Sequence, residues 1–165
     1  MYFEFLFIML DYYRTHTKET FIYEFIVPFV VCLIFLSLEI YGYIDSYKFA
    51  KETIAFIGII LGFSLAALTI FTSDSKRTKE LQDYEVKKKI DGVKISLYRT
   101  VVINFSYIIL LSTVVSLVYY IFSMFKSSIY PYNIITNCVY VGVVLHLVLS
   151  LIRSTTNLYL ILTRK

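Results

Sequence analysis

Cysteine and histidine are scarce: the 165 residues hold two of each. Cys32 and Cys138 both lie inside apolar runs, so neither a zinc cluster nor a disulfide framework is available. His16 sits in the opening segment and His146 in the last apolar run, which argues against a metal site shared between them. Charge is short too, at 17% of residues, where a soluble domain carries about 25%. The few charges fall in blocks between long apolar runs, which excludes a disordered chain, a collagen-like fibre and an ordinary soluble enzyme. No Gly-rich phosphate loop, HExxH, paired-cysteine or serine-elbow motif is present. The expectation is no enzymatic activity, no metal and no cofactor.

What the chain has is apolar length. Hydrophobic residues make up 58% of it and the mean hydropathy is +0.71. A helix needs about 20 mostly apolar residues to cross the hydrocarbon. Four stretches qualify, at about 21–44, 53–72, 101–125 and 134–152, the last ending where Arg153 interrupts it. With no water in the bilayer core to satisfy the backbone, these runs must be helices. Pro28 is tolerated near one end of its helix. The predicted fold is an all-α integral membrane four-helix bundle with short loops.

Residues 1–20 read as a separate N-terminal segment. MYFEFLFIML lacks a basic start and a small-residue cleavage site, is too short to span, and contains Glu4. Its Tyr and Phe content predicts an interfacial helix, with a flexible apolar tail as the alternative. Outside the four spans, twelve Lys and Arg fall on the side that holds both termini and three on the other. The positive-inside rule then places both termini in the cytoplasm of a multi-pass inner-membrane protein.

Residues 73–99 form the one sizeable loop, with eight basic and five acidic residues. Ser73-Asp74-Ser75 offers cap or turn chemistry, KRTKELQDYEVKKKI is helix-favouring, and Asp91-Gly92 reads as a break. Lys76, Arg77, Lys79, Lys87, Lys88 and Lys89 are candidates for binding a cytosolic partner or anionic lipid. The same charges also suit an ordinary solvated cytoplasmic loop. Only Tyr84 and Tyr98 lie among them, so no nucleic-acid partner is expected.

Two rows inside the spans stand out. Ala55, Gly58, Gly62, Ala66, Thr69 and Ser73 share one helical face, with Gly58 and Gly62 at small-xxx-small spacing. That face suits close helix packing, either within the chain or in a homo-oligomer. Gly142, His146, Ser150, Arg153 and Asn157 form a second row. Polar groups at this depth turn toward the bundle interior or a wet cavity, so His146, Ser150 and Arg153 are a candidate polar or pore face. His146, about 18 Å into its span by helix rise, is expected to be neutral and bonded to a neighbouring helix. Arg153 is expected to snorkel to inner-leaflet phosphates. Ser112 and Ser116, one turn apart, could bond across the bundle. Glu24 and Glu39 mark the two ends of the first span, where interfacial placement explains them without an ion path.

The stretch GIILGFSLAALTIFTSDS, the linker with LQDYEVKKKIDG, and YRTVVINFSYIILLSTVVSLVYY together resemble small four-span bacterial membrane proteins of anti-phage defence loci, such as the Kiwa membrane subunit family, KwaA. The resemblance covers residues 57–120 and carries no catalytic signature. It implies an oligomeric inner-membrane component that senses infection at the envelope, or permeabilises the membrane, together with a cytosolic partner. Two other functions are open on the residues alone. One is a small channel or depolarising effector lined by His146 and Ser150, and the other is an accessory subunit of a larger membrane complex.

Overall fold

The computed structural model describes residues 4–73, 85–90, 93–124 and 130–163. Its elements in chain order are α1 (Glu4–Arg14), α2 (Lys18–Phe21), a π-helical turn (Ile22–Ile26), α3 (Val27–Ile40), α4 (Ser46–Thr72), β1 (Glu85–Ile90), β2 (Val93–Ser96), α5 (Leu97–Met124) and α6 (Tyr130–Thr163). Among the described residues, four stretches are long and apolar enough to cross a membrane: Lys18–Ile40, Lys51–Thr72, Leu97–Ile121 and Ile134–Tyr159. The protein is an all-α four-helix bundle, with one small hairpin on the linker.

Local chemistry sets the helix ends. Thr17 and Thr20 form a reciprocal capping box that starts the first span at Lys18, three residues earlier than apolarity alone suggests. The span stops where Gly42 takes φ +74°, with Tyr43 N–H donating to Leu38 O and Gly42 N–H to Glu39 O. This is a Schellman ending, and it needs a residue without Cβ at that position. Asp45 then caps α4 by accepting from Lys48 N–H at 3.1 Å.

The core forms along the α4–α5–α6 contacts. Ile57, Ile60, Ser64, Ala67 and Phe71, spaced by three and four, make the inward face of α4. Ala67 and Phe71 pack with Val101 and Phe105 of α5, while Ile57 meets Tyr140 and Val144 of α6. The first span packs on α6, and α1 packs on α5. Large apolar residues such as Phe29, Ile34, Ile59, Phe63, Leu117 and Ile152 remain exposed around the outside, as lipid contact requires.

Three expectations change. The first segment is helical, but α1 does more than rest at an interface: Tyr12 is 0% exposed and belongs to the main core cluster with Ile103, Tyr107 and Leu147. The helix-favouring linker is partly strand. β1 pairs antiparallel with β2, with Glu85 opposite Ser96, Ile90 opposite Val93, and a register shift between Glu85 and Lys89. Val93 and Ile95 alternate with polar residues, a two-residue period that competes with helix propensity. Ile95 is buried in the core, which anchors the hairpin to the bundle. The fourth span also runs past Arg153 to Tyr159, for a reason found where α1 packs on the bundle.

Candidate functional site

Glu24 is the centre of a buried polar cluster. It lies in the π-helical turn, where Val27 N–H reaches back five residues to Ile22 O. Such turns insert one extra residue and recur at functional sites. Here the turn brings the carboxylate of an apolar, otherwise outward-facing helix into the bundle, leaving Glu24 2% exposed. Arg153 Nε of α6 sits 2.7 Å from Glu24 Oε1. The N–H itself is not aimed at the oxygen, so this contact is ionic rather than a directed hydrogen bond. The Arg153 guanidinium also lies 4.8 Å over the Tyr12 ring, and its Nη2 is 3.4 Å from Asn104 Oδ1 of α5.

The expected snorkelling arginine is therefore turned inward, with 13% of its side chain exposed. A charge that is compensated at this depth does not end the span, so the helix continues.

The second carboxylate oxygen ties in α1 and the residues that follow it. Tyr12 Oη donates to Glu24 Oε2 at 2.5 Å and lies 2.7 Å from Ser150 Oγ. Burial pushes the Tyr12 hydroxyl well above the ordinary phenol range; Arg153 pulls against that shift and Glu24 adds to it. Tyr12 thus stays protonated and remains a donor at any physiological pH. His16 Nε2 is 2.9 Å from the same Oε2, and His16 Nδ1 is 2.8 Å from Tyr12 O.

His146 completes the arrangement. Its Nδ1 lies 2.6 Å from Glu24 O, and its Nε2 lies 2.8 Å from Tyr107 Oη. The α-helical donor for that carbonyl would be residue 28, four positions on, but Pro28 has no N–H. The imidazole supplies one from the neighbouring span. The carbonyl can only accept, so Nδ1 carries the proton and Nε2 accepts from Tyr107. Tyr12 and Tyr107 stack at 3.5 Å between ring centroids, which joins the two halves of the cluster.

A close helix contact holds the register. A methyl placed on Gly142 would lie 3.1 Å from Cys32 Cβ and 3.3 Å from Pro28 O. One turn farther along α6 from that contact comes His146, followed one turn later by Ser150.

His146, Ser150 and Arg153 are thus brought together, with His146 7% and Ser150 0% exposed. The face they form is filled by Tyr12 and Glu24. The small-residue row lies elsewhere: Ala55, Gly58, Gly62, Ala66 and Thr69 are exposed on α4, and a methyl on Gly58 or Gly62 would meet nothing within 4 Å. That row packs against no other described residue closely enough to explain its glycines. Ser112 is 0% exposed, and its hydroxyl has no partner among the described residues, nor has that of Ser64. Lys87, Lys88 and Lys89 fall on β1. Lys76, Arg77, Lys79, Asp74, Ser75, Asp91 and Gly92 lie outside the described residues.

The sequence pattern alone gave no role to Tyr12, His16 or Tyr107, and it placed Glu24 at the interface. One signal was available. Glu24 and Arg153 are opposite charges set into the ends of two different apolar runs, and Glu24 precedes a proline by one turn. Among the described residues no group of three or more His, Cys, Asp or Glu could hold a metal ion. The chain matches no family model, and no similar curated protein or solved structure was found.

Proposed function

We propose that the protein is a non-enzymatic inner-membrane component that passes a disturbance of the bilayer to a cytosolic partner by changing how α1 is held. The observation that carries this reading is the attachment of α1. Much of its surface is exposed and apolar (Phe5, Phe7 and Leu10), yet it is tied to two spans through Glu24. An element that contacts lipid on one side and a buried ion pair on the other couples the two environments. Both termini, the β1–β2 hairpin and the basic linker then share the cytoplasmic side, where a partner can read the change.

Anti-phage defence is the setting that the resemblance of residues 57–120 supplies. Self-association belongs to the same proposal, supported by the exposed Gly58–Gly62 face of α4. A pore lined by His146 and Ser150 would require α1 to leave first, since Tyr12 and Glu24 occupy that face.

The test is phage plating efficiency and dye-reported membrane potential in cells expressing the chain or its Tyr12→Phe/Glu24→Gln variant. The account expects protection without added depolarisation, lost in the variant although the variant still inserts. Full protection by the variant would overturn the coupling role of α1. Infection-dependent depolarisation would instead make α1 the plug of a conducting state.

A further inference from the structure

We propose that the contact between His16 and Glu24 is a proton-binding site, so that α1 docks with uptake of one proton and releases as the cytoplasmic pH rises. This deepens the reading above by naming what regulates α1.

His16 Nδ1 faces Tyr12 O at 2.8 Å and His16 Nε2 faces Glu24 Oε2 at 2.9 Å. A backbone carbonyl and a carboxylate are both acceptors, whereas a neutral imidazole owns one N–H. Any neutral tautomer would therefore set a nitrogen lone pair against an oxygen lone pair. The geometry is satisfied only when the ring carries both protons, or when the carboxyl itself holds the second one; either way the contact contains one more proton than neutral His16 with ionised Glu24. Both side chains are almost fully buried, at 4% and 3% exposed, so water cannot relieve the mismatch.

The surrounding charges fit this count. His16 meets Tyr12 and Tyr13 of α1 and Glu24 of the π-helical turn directly; behind these stand Tyr107 of α5, against both tyrosines, and His146 and Arg153 of α6, against Tyr12 and Glu24. Arg153 opposes a second positive charge, but it is engaged at Oε1, leaving Oε2 to His16 and Tyr12. Arg14 and Arg99 both pair with Asp11 at the exposed rim. His146 provides an internal contrast: facing one carbonyl and one hydroxyl, it is fully satisfied when neutral and calls for no extra proton.

Because the docked contact holds one proton more than neutral His16 with ionised Glu24, docking from the deprotonated state must draw a proton from solution, and the ratio of docked to undocked α1 then falls with rising pH by up to about tenfold per pH unit.

The experiment uses the full chain in liposomes, with spin labels on cysteines replacing Phe7 and Tyr159 and with Cys32→Ala and Cys138→Ala. Double electron–electron resonance is recorded from about pH 5.5 to about pH 8.5, the window of an imidazole switch. Wild type should show one distance at low pH and a second population growing as pH rises. His16→Gln should show proportions that do not change with pH, and His146→Gln should keep the pH response. A constant wild-type distribution across the range would overturn the proposal, as would a response that survives His16→Gln or vanishes with His146→Gln. A normal pH response in a chain that gives no phage protection would sink the functional reading and leave this one standing.

Discussion

The Glu24 end of the bundle and the exposed stripe of α4 use polar and small residues in opposite ways. Around Glu24, four elements supply donors and charges that are consumed within one chain: Tyr12 and Arg153 reach different carboxylate oxygens, and His146 takes the backbone carbonyl. On α4, Gly58 and Gly62 open a smooth surface toward which nothing among the described residues turns. The same residue type divides in the same way. Gly142 is pressed against Cys32 and Pro28, while Gly58 borders open space. A small residue in a membrane helix thus reveals a close approach only when the neighbour is known, whereas a buried ion pair names its own partner.

The largest way to break this contrast is at the carboxylate. Glu24→Leu leaves Arg153 buried without its counter-charge, and it should cost about 3–5 kcal/mol in reversible detergent unfolding. Adding Arg153→Met should restore most of that loss, since an apolar pair avoids desolvation; a double variant as unstable as the single would argue that the ion pair is not the source.

Next comes helix register. Gly142→Ala should destabilise by about 1–3 kcal/mol as its methyl forces Cys32 and the Pro28 carbonyl apart. Gly58→Ala should leave the fold unharmed or stabilise it by about 0.5–1 kcal/mol through helix propensity. The same unfolding assay reads both. Cross-linking of Gly58→Leu/Gly62→Leu in membranes then reports separately on self-association, which should fall while the fold persists.

A smaller effect sharpens the Glu24 end. Tyr107→Phe removes the donor to His146 Nε2 and should cost about 0.5–1.5 kcal/mol. The smallest concerns Ser112→Ala, which deletes a buried hydroxyl without a described partner and should be neutral or slightly stabilising in the same assay.

The four spans were legible because apolar length is a property of the chain alone. Their boundaries were less so. Arg153 reads as a stop in a one-dimensional scan, and only pairing with a residue 129 positions away makes it an interior one. The hairpin was hidden by Lys and Glu, strong helix formers in isolation, although Val93 and Ile95 alternate as a strand should. On α6, the periodicity that set His146, Ser150 and Arg153 on one face was readable. What filled that face was not, because α1 looks like an interfacial helix by composition. The π-helical turn was hidden as well. It shifts Glu24 by one residue's rotation, and regular helix geometry places the same carboxylate differently.

The central claim is that α1 is held in the bundle by Glu24. The direct measurement is maleimide labelling of Thr15→Cys, a position 1% exposed beside Tyr12, in inside-out vesicles with Cys32 and Cys138 replaced by alanine. Lys18→Cys, on the exposed surface, serves as the accessible reference. The account predicts that Thr15→Cys labels at least about tenfold more slowly than the reference, and that adding Glu24→Gln removes most of that protection. Equal rates at the two positions without the Glu24 change, or protection that Glu24→Gln leaves intact, would contradict it.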